Sequence, residues 1–196
     1  MPTTNTPLFM ALMPTNRQRC VKSPLPFLKR ISTLSPKETD LIQDKRPFPY
    51  LGLMDEFMKM AIEQAKKGAA EGGIPIGSVL IKNGICVGQG HNKRVQENNP
   101  ILHGEMDCLN QAGRIGSYKN TVIYSTLMPC YMCAGTIVQF KIPKVIVGES
   151  RTFPGARAFM ESHGVEVIDL DLPECVDMMT RFIQEKPELW NEDIGE

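Results

Sequence analysis

The chain of 196 residues contains no long hydrophobic run. The apolar stretch near its amino end, residues 7–14, is far shorter than the roughly 18 residues that cross a bilayer. No basic residue precedes that stretch, which argues against a secretory signal. We therefore predict a soluble chain with no membrane partner.

The chain also contains few cysteines and has no net charge. Six unevenly spaced cysteines are too few for a disulfide scaffold and are typical of a reducing compartment. The 22 basic and 22 acidic residues give a net charge of zero, which argues against a protein coated in basic residues for duplex nucleic acid. We therefore expect no nucleic-acid partner.

The neutral total combines two unlike parts of the chain. Residues 1–53 contain 8 basic and 3 acidic residues, whereas residues 54–196 contain 14 and 19. We predict a basic leader over 1–53 and one domain over 54–196. The leader has the composition of a mitochondrial transit peptide, but we favour a disordered extension. If the leader is a disordered extension, we expect the protein in the cytoplasm or also in the nucleus. If it is a transit peptide, we expect it in mitochondria.

The pattern of the body predicts an α/β domain. A helix begins near Leu53 and ends at Gly72–Gly73, and Asn83–Gly84 is typical of the turn of a strand hairpin. From Thr121 to Glu185, strands and helices alternate, which favours parallel pairing. We therefore expect a three-layer α/β/α sandwich with a mixed five-stranded sheet.

Two short motifs contain the residues for chemistry: His103–Gly104–Glu105 and Pro129–Cys130–Tyr131–Met132–Cys133. One imidazole and two thiolates are good ligands for Zn²⁺, and the two cysteines lie one helical turn apart. Three protein ligands leave a fourth position for water, as in catalytic zinc sites. Glu105 is then placed for general acid and base catalysis.

Simpler interpretations of these residues have to be weighed. A single C-x-x-C is commonly half of a structural zinc site or a redox pair. The sequence has no second C-x-x-C and no H-x-x-x-H, and a redox motif would not explain His103 or Glu105. Cys108 lies roughly 140° around the helix from His103, so it is badly placed as a fourth ligand. These features favour a catalytic zinc site.

The pattern H-x-E followed by P-C-x-x-C is the signature of zinc deaminases of cytosine or adenine. Further segments resemble the fungal-type cytosine deaminases, over about residues 54–196: Glu71–Gly77, Gly90–Asn92, Leu102–Glu105 and Trp190–Glu196. The resemblance implies a cytidine deaminase-like fold, a homodimer with one Zn²⁺ per subunit, and hydrolytic deamination of free cytosine to uracil in pyrimidine salvage.

The resemblance also implies a role for each site residue. His103, Cys130 and Cys133 would hold zinc, zinc hydroxide would attack C4 of the base, and Glu105 would shuttle protons. The remaining residues would bind the base. The Asn92 side chain and the Gly104 N–H would bind O2, Asp193 would accept from N1–H, and Ile76, Phe153 and Trp190 would clamp the ring.

One residue departs from the family pattern. Asn191 stands where an aromatic residue is expected, so the pocket wall is predicted to differ there. Alternative functions are a guanine or tRNA adenosine deaminase, which share the motif, or a non-catalytic domain stabilised by zinc. The acidic body and the intact Glu105 favour an enzyme for a small nucleobase.

Overall fold

The computed structural model describes residues 51–196, with side chains from residue 56. Most of the predicted leader (residues 1–50) lies outside the described residues. The elements follow one another in chain order: α1 Leu51–Ala70, β1 Gly77–Lys82, β2 Ile85–His91, α2 Gly104–Ala112, β3 Thr121–Ser125, α3 Tyr131–Phe140, β4 Lys144–Val147, α4 Arg157–Ser162, β5 Glu166–Asp169, α5 Pro173–Glu185 and α6 Pro187–Ile194.

The five strands form one mixed sheet in the order β2-β1-β3-β4-β5, which confirms the predicted sheet. Strand β1 pairs antiparallel with both β2 and β3. Strands β3, β4 and β5 pair in parallel, as their alternation with helices predicted. At the β1–β2 turn, Asn83 and Gly84 have φ angles of 52° and 76°, the left-handed conformation that a two-residue hairpin of this kind requires.

Side chains of alternate strand residues build two hydrophobic layers, one on each face of the sheet. On one face, Val79 and Ile81 pack with Phe57 of α1 and Cys175 of α5. On the other face, Leu80 packs with residues of α2, α3 and α4. The result is the expected α/β/α sandwich. Within residues 51–196, no helix is both long enough and apolar enough to cross a membrane.

The register of the sheet brings three chain segments together at one end of the strands. Gly77 at the start of β1 pairs with His91 at the end of β2, and Ser78 pairs with Ser125 at the end of β3. The segments that lead out of β2 and β3 therefore meet beside the residues that precede β1. α/β sheets usually bind their ligands at the carboxyl ends of such strands.

The final helix α6 was not predicted, since the alternation of strands and helices was expected to end at Glu185. Lys186 breaks the helical geometry with φ −139° and ψ 58°, and Pro187 then begins a second helix at its first position. The signal for α6 was present in Pro187, which commonly opens a helix. This helix matters for function because it contains Trp190 and Asp193.

Candidate active site

The predicted metal ligands lie together at the amino ends of two helices. His103 is the N-cap residue of α2, Cys130 is the N-cap residue of α3, and Cys133 lies in the first turn of α3. Their ligand atoms all lie within 4.8 Å of one another. Nδ1 of His103 lies 3.6 Å from Sγ of Cys130. The geometry brings together three residues that are separated by up to 30 positions in the sequence.

The electrostatics of this cluster favour a thiolate. A hydrogen bond from Cys133, with a further contribution from His103, lowers the pKa of Cys130 to about 4. The same hydrogen bond and burial raise the pKa of Cys133. The positive end of a helix also favours a negative sulfur at its first turn. One imidazole nitrogen and two sulfurs, buried or half-buried, are a donor set that fits Zn²⁺.

Glu105 lies beside this cluster in the first turn of α2, and its side chain is buried. Ser125 donates a hydrogen bond of 3.0 Å from Oγ to Oε1 of Glu105. Burial and the negative charge of Cys130 raise the pKa of the Glu105 carboxyl. The sequence analysis missed Ser125, although a polar residue that ends the apolar strand β3 was an available signal.

A small cavity of about 20 Å³ opens over the cluster. Its wall combines the motif residues with side chains from the β1 start, the loop after β4 and helix α6. The lining residues are Ile76, His103, Glu105, Leu127, Met128, Cys130, Phe153, Trp190, Asp193 and Ile194. Larger surface hollows of about 670 and 740 Å³ lie elsewhere and are lined by other residues.

Four of the six predicted substrate-binding residues line this cavity: Ile76, Phe153, Trp190 and Asp193. Asn92 and Gly104 are not among the lining residues. Nδ2 of Asn92 donates to Oδ1 of Asp193 at 3.0 Å. A Cβ atom at Gly104 would lie 3.0 Å from the backbone oxygen of Ile76, so glycine lets α2 begin close to that residue. Asn191 is exposed and does not line the cavity.

Asp193 accepts hydrogen bonds from two neighbours, and its Oδ1 also lies 3.7 Å from Nε2 of His103. Its side chain is only 5% exposed. Nη1 of Arg94 donates to Oδ1 of Asp193 at 3.0 Å, alongside the amide of Asn92. Nε of Arg94 donates to the backbone oxygen of Pro100 at 3.1 Å. Arg94 therefore connects helix α6 to the loop after β2. The sequence analysis missed Arg94, because its partner Asp193 is 99 residues away along the chain.

His91 lies apart from the metal ligands despite being buried. Its Nε2 contacts Glu71 at 2.8 Å and its Nδ1 contacts Gln64 at 3.3 Å. These contacts tie the end of β2 to α1. His91 therefore supports the fold near the site.

A His/Cys/Cys cluster that fits Zn²⁺, open to a cavity beside a buried carboxylate, matches the arrangement of the zinc-dependent deaminases. The comparison with known families agrees with this assignment. Residues 53–149 match the cytidine and deoxycytidylate deaminase zinc-binding region. The chain belongs to this family of zinc-dependent hydrolases.

Individual relatives differ in what they act on. The chain is 49% identical over 142 residues to a cytosine deaminase of Candida albicans, a match that covers 71% of this chain and 95% of the relative. It is 34% identical over 141 residues to a tRNA-specific adenosine deaminase of Bacillus subtilis, which covers 66% of this chain and 88% of the relative.

Solved structures share the fold. A tRNA:A34 deaminase structure has a TM-score of 0.58 at 24% identity, covering 63% of this chain and 99% of that chain. A guanine deaminase of Nitrosomonas europaea has a TM-score of 0.54 at 15% identity, covering 64% of this chain and 82% of that chain. At these identities the likeness concerns the fold alone.

Proposed function

We propose that this chain hydrolyses free cytosine to uracil and ammonia. The observation that carries the proposal is the buried carboxylate of Asp193 in the same cavity as His103 and Glu105. A free pyrimidine base has an N1–H that this carboxylate would accept, whereas a nucleoside has a sugar at N1. The sugar would meet helix α6 and would offer no N–H to the carboxylate, so the site would select against nucleosides.

The identity values support the same substrate. The cytosine deaminase relative is 49% identical, compared with 34% for the tRNA-specific relative. The cavity of about 20 Å³, walled in part by Phe153, Trp190 and Ile194, has room for about one water molecule and is too small to hold a nucleobase. Entry of the base would require these side chains, and with them helix α6, to move.

The walls suit a planar polar ring. The rings of Phe153 and Trp190 are perpendicular, with centroids 5.7 Å apart, and Ile76 lines the same cavity. These apolar faces would clamp the base. Nδ2 of Asn92 has two hydrogens, of which one is donated to Asp193, so the second would bind O2 of the base. The Gly104 N–H would also bind O2, because the first N–H groups of a helix have no partner within it.

The chemistry follows from the positions of the ligands and Glu105. A zinc ion held by His103, Cys130 and Cys133 would acidify the attacking water and so supply the nucleophile. Glu105 would take a proton from that water and deliver it to N3 of the ring. A C4–O bond would form, and Glu105 would then take the proton of the new C4 hydroxyl and deliver it to N4, so that the C4–N4 bond breaks and ammonia leaves. A raised pKa suits this role, because the group must both gain and release protons.

The direct test is ammonia release by the purified zinc-loaded protein from cytosine, cytidine, guanine and a tRNA anticodon stem-loop. We expect release from cytosine alone among these four. Glu105→Gln should lower kcat by about 10²- to 10⁴-fold while zinc content stays at the wild-type level. No release from cytosine by zinc-loaded protein would overturn the proposal, and release from guanine or the stem-loop would assign the rival activity.

A non-catalytic zinc domain would be expected to supply a fourth protein ligand. The candidate cluster among the described residues contains three, His103, Cys130 and Cys133, which supports a catalytic site. X-ray absorption of the zinc-loaded protein would test this point. One nitrogen, two sulfurs and one light-atom ligand are expected, whereas a third sulfur would favour the structural alternative.

We further propose a homodimer in the cytoplasm. Exposed apolar side chains support an interface: Tyr131 is 70% exposed, Ile101 55% and Phe140 41%. The mass of the protein in solution, measured by light scattering, would test the dimer. The amino-terminal mass of the native protein would test the compartment, because a transit peptide would be cleaved.

A further inference from the structure

The loop between β4 and α4, residues 148–156, delivers Phe153 to the cavity wall. Phe153 is half-buried in this loop. The plane of its ring is perpendicular to that of Trp190. In the proposed function Phe153 would clamp the base, so the position of its ring in this loop matters. An irregular loop can place one ring reproducibly only if other contacts restrain its backbone.

Glu149 provides such a restraint at the start of the loop. It is fully buried, yet it takes no part in the proposed chemistry. Its Oε2 accepts hydrogen bonds from the backbone N–H of Arg151 at 2.7 Å and of Thr152 at 3.0 Å. Its Oε1 accepts a short hydrogen bond from the hydroxyl of Thr152. Three donors from residues 151 and 152 thus bend the chain around one carboxylate.

The same loop is tied to the segment that precedes the metal ligand Cys130. The backbone oxygen of Glu149 accepts from the N–H of Met128 at 3.0 Å. At the far end, the N–H of Ala156 donates to the backbone oxygen of Pro129 at 2.9 Å. Gly155 has a φ of 56°, and a Cβ atom there would lie 2.6 Å from the Pro129 oxygen. The loop is therefore attached at both ends to residues 128 and 129.

We propose that Glu149 is a positioning residue that sets the Phe153 wall against Trp190 and thereby determines how tightly the pocket holds the base. The inference rests on the proposed function for its kinetic part only. Glu149 touches neither the cavity nor the metal ligands, so it acts through the bend at residues 149–152. Its loss should weaken substrate binding more than it slows the chemical step.

Two substitutions of Thr152 form a matched pair. Thr152→Val removes the hydroxyl donor to Glu149 while it keeps the shape of the side chain. Thr152→Ser keeps the hydroxyl. Glu149→Gln tests the carboxylate itself. The NH2 group of the glutamine is a donor, so it cannot accept the hydrogen bonds that one of the carboxylate oxygens accepts. If Glu149→Gln does not fold, the Thr152 pair still decides the proposal.

The first measurement needs no substrate. Trp190 is the single tryptophan of the chain, so its fluorescence reports directly on its contact with Phe153. We expect Thr152→Val and Glu149→Gln to shift the emission to longer wavelength and to increase quenching by acrylamide. Thr152→Ser should match the wild type. Unchanged emission and quenching in both altered variants would overturn the proposal, whatever reaction the protein catalyses.

The second measurement separates positioning from a general loss of structure. For cytosine, Thr152→Val should raise KM by about tenfold, as expected for one hydrogen bond to a charged group, while kcat changes by less than about twofold. Zinc content should stay at the wild-type level. In a Phe153→Ala background, Thr152→Val should have no further effect on KM.

Two kinetic results would contradict the role of Glu149. One is a parallel loss of kcat and zinc in Thr152→Val, which would indicate damage to the metal ligands. The other is an undiminished effect of Thr152→Val in the Phe153→Ala background. If the wild-type protein releases no ammonia from cytosine, the proposed function fails instead, and the fluorescence comparison still tests the positioning role.

Discussion

The candidate metal ligands and the proposed ring-binding wall are built in different ways. The ligands and Glu105 come from two short motifs, each at the amino end of a helix that packs on the sheet. The wall comes from widely separated segments: the residue before β1, the loop after β4 and helix α6. The proposed chemistry therefore depends on local sequence and the sheet register, whereas the proposed recognition of the base depends on how distant segments pack.

The two regions also differ in the core behind them. Met128 and Ala134, which flank Cys130 and Cys133, belong to a large buried cluster that includes three sheet strands. Trp190 and Ile76 belong to a smaller cluster with Phe153 and Ile194 at its margin. Changes in the wall should therefore alter substrate binding without loss of the metal, and the following predictions test this separation.

The largest effect is expected from loss of a metal ligand. Cys133→Ala leaves two ligands, so zinc affinity should fall by more than about a hundredfold. Loss of a residue that only hydrogen-bonds to a ligand usually costs less than this. Turnover should vanish with the metal. Elemental analysis of the purified variant checks this. Cys175→Ala, which changes another buried cysteine remote from the cluster, should retain zinc. Full zinc content in Cys133→Ala would contradict the ligand assignment.

A smaller effect is expected from the wall residue Asp193. Asp193→Asn replaces a charged acceptor, so kcat/KM for cytosine should fall by about ten- to a hundredfold, the size of a hydrogen bond to a charge. Zinc content should not change. Steady-state kinetics with elemental analysis checks both expectations. The neighbouring Glu192→Gln, on a side chain 68% exposed, should stay near the wild type. Loss of zinc in Asp193→Asn would remove the distinction between the two regions.

The smallest effect is expected behind the wall. Arg94→Gln removes the donor to Asp193 and the connection from α6 to Pro100, so KM for cytosine should rise by about three- to tenfold. The kcat should change less than KM, because Arg94 does not touch the reacting atoms. Arg157→Gln, which breaks an ion pair with Asp169 instead, is the matched control. Equal effects of the two variants would show that a general loss of charge pairs is responsible.

Much of the fold followed from the sequence, because hydrophobic period and turn residues act locally. The Asn83–Gly84 turn and the alternation of strands and helices after Thr121 were predicted and are present in the structure. The three residues predicted to bind zinc lie together, and their role as ligands stays a prediction. Helix α6 was missed, because Lys186 and Pro187 interrupt the apolar period of α5. Ser125 and Arg94 were also missed, since each meets its partner only across the fold.

The sequence by itself determined the reactive groups: a histidine, two cysteines and a glutamate at spacings that suit helix starts and a zinc ion. Only the tertiary structure decided what surrounds them. The register of β1 with β2 and β3 brings Ile76 and Asn92 to the cluster, and the packing of α6 brings Trp190 and Asp193 over it. Helical spacing acts over a few residues, whereas the wall depends on contacts between residues about a hundred positions apart, such as Asn92 and Asp193.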